Sequence, residues 1–359
     1  MKTAFRWYGE GNDSVTLDQI RQIPSCPSIV GVLDSKAAGE VWTPEEIRAY
    51  RENIEGHGLR LEVIESVNVH EDIKLGLPTR DEYINNFKQT IENLGKQGIR
   101  VVCYNFMPVI DFARTDWAKE MPDGSTALYF DQKVLDKMTP SDLVSSTMEE
   151  AEGFTLPGWE EGRLQMLKDT MKQYEGVTKE DLRRNYQYFL EAVIPTCEQF
   201  DVKLAVHPDD PGWEIFGLPR LAHTAEEYQK IMDMVDSPCN GITFCTGSLG
   251  SNPENDIPAM IRHFCKQGRV PFAHVRNVKY LGDKEFIESG HLSSDGSLDM
   301  YEIIRAFYES GFDGYIRPDH GRAIWGEKCR PGYGLYDRAL GLTYINGLWE
   351  AVEKNATHK

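Results

Sequence analysis

The sequence predicts an α/β protein folded as a TIM (β/α)8 barrel, with a helical and loop insertion after the fourth strand. Three observations predict it. Short β-branched or aromatic segments bounded by Gly, Pro or Asp alternate with helix-like segments, the pattern of a parallel sheet. Eight segments of each kind can be counted, which favours a barrel over a doubly wound sheet. Four successive strand segments each end in a residue able to ligate a metal, which suits strands that all open onto one mouth.

In chain order the strand segments are Phe5–Tyr8, Ile29–Leu33, Arg60–Glu65, Arg100–Asn105, Lys203–His207, Ile242–Cys245, Val270–Val275 and Gly314–Arg317. A short helix near Thr16–Gln22 follows the first strand. After the second, Thr43-Pro44-Glu45-Glu46 is a capping signal with Pro in the first turn, and it opens a helix toward Gly56. The remaining helices are predicted at Thr79–Lys96, Lys179–Gln199, Thr224–Val235, Pro253–Lys266, Leu298–Ser310 and Tyr336–Glu353. Residues 107–176 break the alternation. They read as polar and loop-like, with helical patches at Pro140–Ala151 and Trp159–Gln173, and their place after the fourth strand suggests a cap or lid within one barrel domain spanning 1–359. Asp283–Asp299 is a smaller insertion, read as a hairpin followed by a loop.

Composition narrows the function. The 40% apolar content suits a packed core, and the formal charge of −18 argues against nucleic-acid or anionic-membrane partners, which need a basic surface. Any anion site must then be built locally from arginines. The amino-terminal stretch Met1–Tyr8 has no apolar signal-peptide core, and no run approaches membrane-spanning length. Seven cysteines without a CxxC pair suit reduced thiols in a cytoplasm.

The candidate metal ligands are His207, Cys245, His274 and Asp319, separated by 38, 29 and 45 residues. No zinc-finger spacing fits, but one βα unit occupies roughly 30–45 residues, so each ligand falls at the mouth of its own strand. Two imidazoles, a thiolate and a carboxylate suit Zn²⁺, Fe²⁺, Co²⁺ or Mn²⁺ better than Mg²⁺ or Ca²⁺. Reactive groups crowd these positions. His320 and Arg322 flank Asp319, Arg276 and Asn277 follow His274, His70 follows the third strand, and Tyr104, Asn105 and Asp111 lie at or beyond the fourth. Asp209, Asp210, Glu71 and Asp72 read as solvated surface charges at least as readily as site groups.

Several strings together resemble the mannonate dehydratases. They are Phe5-Arg6-Trp7-Tyr8-Gly9, His70-Glu71-Asp72-Ile73-Lys74, Cys103-Tyr104-Asn105-Phe106-Met107-Pro108 and His207-Pro208-Asp209-Asp210-Pro211. Cys245-Thr246-Gly247-Ser248-Leu249-Gly250, His274-Val275-Arg276-Asn277, the run Arg317–Trp325 and the segment Arg330–Leu340 complete the set, which spans nearly the whole chain. The resemblance implies a xylose-isomerase-like barrel and a lyase that converts D-mannonate to 2-keto-3-deoxy-D-gluconate and water in hexuronate breakdown. It implies Mn²⁺ or Fe²⁺ on His207, Cys245, His274 and Asp319. It further implies acid–base chemistry by His320 with a tyrosine, Tyr333 in preference to Tyr336, and a homodimer.

Loss of water from a 2,3-dihydroxy acid removes a proton from C2 and hydroxide from C3. Arg322, Arg276 or Arg6 would then hold the substrate carboxylate, since a guanidinium fork matches it. The alternative reading is a metal-dependent sugar isomerase or epimerase on the same barrel, because this fold hosts many chemistries.

Overall fold

The computed structural model describes residues 1–150 and 169–357. Twelve strands occur among the described residues: β1 (Lys2–Arg6), β2 (Ser28–Gly31), β3 (Arg60–Glu65), β4 (Val101–Tyr104), β5 (Asp116–Glu120), β6 (Thr126–Asp131), β7 (Lys203–Val206), β8 (Asn240–Cys245), β9 (Phe272–Val275), β10 (Val278–Gly282), β11 (Glu285–Glu288) and β12 (Tyr315–Pro318). Eight of them close into a barrel in the order β1-β12-β9-β8-β7-β4-β3-β2. Every pairing in that ring is parallel, as the alternation predicts. Ala4, Val30, Val63, Val101, Cys103, Ala205, Phe272 and Tyr315 form a buried cluster of their own, in which six small or branched side chains and two aromatic rings fill the barrel interior.

The first strand begins three residues earlier than the sequence suggests, because Lys2 and Thr3 pair with Tyr315 and Ile316 of β12. The helix Pro44–Gly56 starts as predicted. Thr43 accepts from the Glu46 amide while the Glu46 side chain accepts from the Thr43 amide, so two orphan donors are satisfied. Lys179–Phe200, capped by Thr178, is the long helix that packs on Arg80–Lys96. Three short helices, Glu71–Leu75, Gln132–Leu135 and Thr246–Gly250, lie in stretches where the sequence gives no 3.6-residue period long enough to see. No helix among the described residues is long and apolar enough to cross a membrane.

The insertions differ from the expectation in one respect. The segment after β4 contains β5 and β6 as well as the helix Pro140–Glu150, and the hairpin β10–β11 begins at Val278, ahead of the second insertion as read at Asp283–Asp299, which supplies only β11. Strands from both insertions join in a second sheet of order β10-β11-β6-β5, all antiparallel. Neither half of that sheet alternates cleanly in polarity, and its central pairing sets Phe130 opposite Phe286, far away in sequence. A ladder of two hydrogen bonds between Thr126 and Ala323, at 2.9 and 3.1 Å, stitches this sheet to the loop after β12. The helical patch predicted at Trp159–Gln173 falls mostly on 151–168, outside the described residues; its end at 169–173 is helical.

Candidate metal centre and active site

The barrel order makes β7, β8, β9 and β12 consecutive neighbours, and the register sets Cys245 beside His274 and His274 beside Arg317. One ligand atom each from His207, Cys245 and His274 lies within 4.8 Å of the others. Asp319 adjoins them, with Oδ2 3.4 Å from the Cys245 sulfur and Oδ1 3.8 Å from His274 Nδ1. All four predicted ligands therefore meet at the carboxyl end of the barrel.

The donor chemistry fits a divalent transition metal. His207 Nδ1 lies 2.7 Å from the Pro208 carbonyl, so Nδ1 carries the proton and Nε2 keeps a lone pair. Cys245 caps the helix Thr246–Gly250, where the Ser248 amide and hydroxyl approach its sulfur at 3.4 and 3.1 Å and would favour a thiolate. His274 is fully buried, and its Nε2 has no hydrogen-bond partner although Glu65 Oε2 is 3.2 Å away, because that approach lies outside hydrogen-bond direction. A second cluster, Glu65, Cys103 and His274, is less suited to a cation. Both Glu65 oxygens are taken by the Arg317 fork, and burial raises the Cys103 thiol well above its ordinary range.

Behind the ligands lies a buried ionic lattice. Arg317 grips Glu65 at 2.8 and 3.1 Å and reaches Asp319 at 2.9 Å. Arg276 reaches Asp319 at 2.7 Å, Asp210 at 2.9 Å, and Glu288. Arg114 holds Asp210 at 2.7 and 3.1 Å and Glu288 at 2.7 Å. Burial alone would push these carboxyls up, but the guanidiniums win. Glu65 is held well below the usual carboxylate range by Arg317 with His274 adding, and Asp319 likewise by His320 first and then Arg317; Asp210 is lowered, and Glu288 falls to about 2. Three guanidiniums against four carboxylates leave this contact lattice short of one positive charge, and a Cys245 thiolate would deepen the deficit. A divalent cation at the His–Cys–His cluster would offset that deficit.

His320 sits beside the ligands on the loop after β12. Its Nε2 is 2.9 Å from the Tyr333 hydroxyl and its Nδ1 is 3.1 Å from Glu288. Gly332, at φ +79°, takes a left-handed conformation that turns Tyr333 inward. Burial, with Tyr8 and Asp319 nearby, lifts the Tyr333 phenol well above its ordinary value, so it stays protonated near neutral pH. Tyr336 is half exposed and packs on Trp325 instead.

A pocket opens onto this pair, lined by Arg6, Tyr8, Ser66, Asn105, Asp111, His207, Asp319, His320 and Tyr333 among others. The remaining predicted site residues divide. Arg6 and Asn105 line the pocket. Arg276 is saturated by three carboxylates, and Arg322 turns away to Asp337 and the exposed Asp123. Asn277 braces the loop at Leu292 and Leu298, while His70 caps the helix Glu71–Leu75 and stacks on Tyr83. Asp209 and Asp210 are buried, not solvated. Sequence reasoning missed Glu65, Arg114, Tyr8 and Glu288 as site groups. Glu65 ends β3 and the strand-end rule could have found it; nothing in the sequence marks Glu288, which arrives from an insertion hairpin.

Parallel strands closed into a barrel, with two imidazoles, a thiol and a carboxylate gathered at the carboxyl-end mouth, define a TIM barrel with a candidate transition-metal site. A D-tagatose 3-epimerase-like protein, 12% identical with a TM-score of 0.56 over 99% of this chain and all of that one, shares the fold alone. The family model described as "D-mannonate dehydratase (UxuA)" matches residues 1–359, and the chain belongs to that family. It is 60% identical over 354 residues to the mannonate dehydratase of Thermotoga maritima, covering 99% of this chain and 98% of that one. The Shouchella clausii mannonate dehydratase is 53% identical over 359 residues, covering 100% and 99%. The crystal structure of the Streptococcus suis serotype 2 mannonate dehydratase superposes with a TM-score of 0.90 at 43% identity, covering 99% and 96%.

Proposed function

We propose that this chain is a metal-dependent lyase that dehydrates D-mannonate to 2-keto-3-deoxy-D-gluconate in hexuronate catabolism. The observation that carries the reading is the contact of 2.9 Å between His320 Nε2 and the Tyr333 hydroxyl, facing a pocket beside the ligand cluster. His207, Cys245, His274 and Asp319 would hold Mn²⁺ or Fe²⁺, which supplies Lewis acidity toward the substrate oxygens.

The chain's own groups handle the protons. His320 Nε2 takes the C2 proton as the C2–H bond breaks. Tyr333, held protonated by burial, gives its proton to the oxygen leaving C3, so water departs and an enol remains. The proton on His320 then returns to the tyrosinate across their contact, and the enol relaxes to the 2-keto acid by losing its C2 hydroxyl proton and gaining one at C3. Arg6 is the pocket guanidinium that touches no carboxylate in the lattice, and its buried Nε has no hydrogen-bond partner. It is the seat assigned to the substrate carboxylate, with Asn105 lining the wall. Arg276 supports the site by orienting Asp319. The 107–176 insertion would act as a cap within one domain of 1–359. The proposed setting is a cytoplasmic homodimer acting on a small sugar acid, with no nucleic-acid partner, in keeping with the charge of −18.

The test is a keto-acid assay on D-mannonate with metal-stripped protein, repeated after Mn²⁺ or Fe²⁺ is restored. Metal-dependent product is expected, and His320→Asn and Tyr333→Phe should each lower turnover by at least about 10²-fold in folded, metal-loaded protein. No keto acid with any metal would overturn the lyase and favour an aldose–ketose isomerase.

A further inference from the structure

The side sheet built from the two insertions ends against the acid–base pair. Glu288, the last residue of β11, is fully buried, and its Oε1 lies 3.1 Å from His320 Nδ1. Its carboxylate is itself immobilised from two directions. Arg114, from the first insertion, meets Oε1 at 2.7 Å, and Arg276, from the loop after β9, meets Oε2. Phe112, beside Arg114, lies 5.6 Å ring to ring from His320 and confines the imidazole further.

We propose that Glu288 is a positioning residue for the dehydration: it accepts the Nδ1 proton of His320, fixes that tautomer, and so leaves Nε2 as the basic nitrogen on the side of the pocket and Tyr333. The reasoning is that of any carboxylate–imidazole pair. A neutral imidazole has one N–H, and the group that accepts it decides which nitrogen is left basic. Without an acceptor at Nδ1, the ring can carry its proton on Nε2, where it can take nothing from the substrate. The ionic lattice keeps Glu288 charged, as its fall to about 2 shows. On this reading the insertions have a second task besides covering the mouth, because Arg114 and Glu288 both come from them. The inference rests on the lyase reading for its kinetic arm only.

The experiment compares Glu288→Gln with the parent enzyme, and with Glu288→Asp in case the amide fails to fold. Asp keeps the charge but withdraws the carboxylate by one methylene. Either variant should lower kcat by about 10- to 100-fold with little change in KM or metal content. Added to His320→Asn, the Glu288 change should cost less than about twofold more, since it acts through the residue already removed. A purely structural role would instead compound fully with His320→Asn. The second readout needs no turnover: imidazole ¹⁵N spectra of the Zn²⁺-loaded protein, with the His320 signal assigned by its loss in His320→Asn. The parent should show His320 protonated on Nδ1 alone, and Glu288→Gln should show mixed or Nε2-protonated signal. Unchanged kcat in both variants, a fully additive double variant, or a parent His320 protonated on Nε2 would each overturn the role. Absent turnover with an Nδ1-protonated His320 would sink the lyase reading and leave the Glu288 contact standing.

Discussion

Ser248 approaches the sulfur of Cys245 twice, through its amide at 3.4 Å and its hydroxyl at 3.1 Å, while the same hydroxyl lies 3.0 Å from Asp210 Oδ2. A hydroxyl has one proton to give, so it can serve the sulfur or the carboxylate but not both. Arg276 already neutralises that Asp210 oxygen at 2.9 Å, which frees the Ser248 proton for a thiolate. The serine is thus poised to stabilise Cys245 in the ionised form that binds a metal.

Ser248→Ala should therefore weaken metal binding by about tenfold without changing the ligand set. Chelator competition measures the affinity, and the thiolate-to-Co²⁺ charge-transfer band of Co²⁺-loaded protein reports whether Cys245 still binds. An unchanged Kd would show that the hydroxyl serves Asp210 alone.

Arg317 joins two carboxylates that would otherwise repel each other beside the centre, Glu65 through a two-pronged contact and Asp319 at 2.9 Å. Removing one partner from a buried pair leaves the other charge uncompensated. Arg317→Gln should destabilise the metal-free protein by about 3–5 kcal/mol. Urea unfolding measures this, and a midpoint equal to that of the parent would mean that Glu65 and Asp319 take up protons at little cost. Restoring metal should return part of the loss, because a bound cation stabilises the folded state.

What the sequence revealed follows from how local each signal is. The eight barrel strands and the convergence of the four candidate ligands were legible because a strand end is marked by its own neighbours: Ala205-Val206-His207 and Phe272-Ala273-His274 each carry the apolar run and the candidate ligand together. The helix starts after Thr43 and at Lys179 were legible for the same reason. The side sheet was not. Asp116–Glu120 is half-exposed and charged, and it pairs with Thr126–Asp131, whose other edge meets Glu285–Glu288. Only the three-dimensional pairing makes those segments strands. Arg276 and Arg322 misled for a related reason. An arginine at a strand end can face a substrate or a carboxylate, and the sequence does not say that Glu288 and Asp337 will be there first.

The lattice also sets an acid limit. Glu288 is lowered from 4.5 to about 2, and Glu65 and Asp319 lie well below their ordinary values. A carboxylate depressed on folding contributes stability that is complete above its unfolded value and is lost as pH falls through the folded one. Unfolding free energy should thus drop steeply as pH falls from about 4.5 toward 2, the range that Glu288 defines. Urea midpoints taken across that interval test it. Stability that stays flat down to the lower limit would mean that folding does not lower the pKa of these carboxylates.

Arg6 supplies the last test, because it separates binding from chemistry. Its guanidinium lies over Tyr8 at 4.1 Å, and Arg330 lies over the same ring at 3.8 Å, so one aromatic carries two cations. Such an arrangement concentrates positive charge at the pocket wall and calls for an anion. Charge-assisted hydrogen bonds are worth about 1.5–3 kcal/mol, so Arg6→Gln should raise KM for D-mannonate by about 10- to 100-fold. Its effect on kcat should be smaller, since the carboxylate is held in ground and transition states alike. A sugar alcohol of the same length, which lacks the carboxylate, gives the control. It should bind Arg6→Gln and the parent with equal affinity, measured by its inhibition of turnover. If the variant weakens both ligands alike, Arg6 shapes the pocket and the carboxylate is held elsewhere.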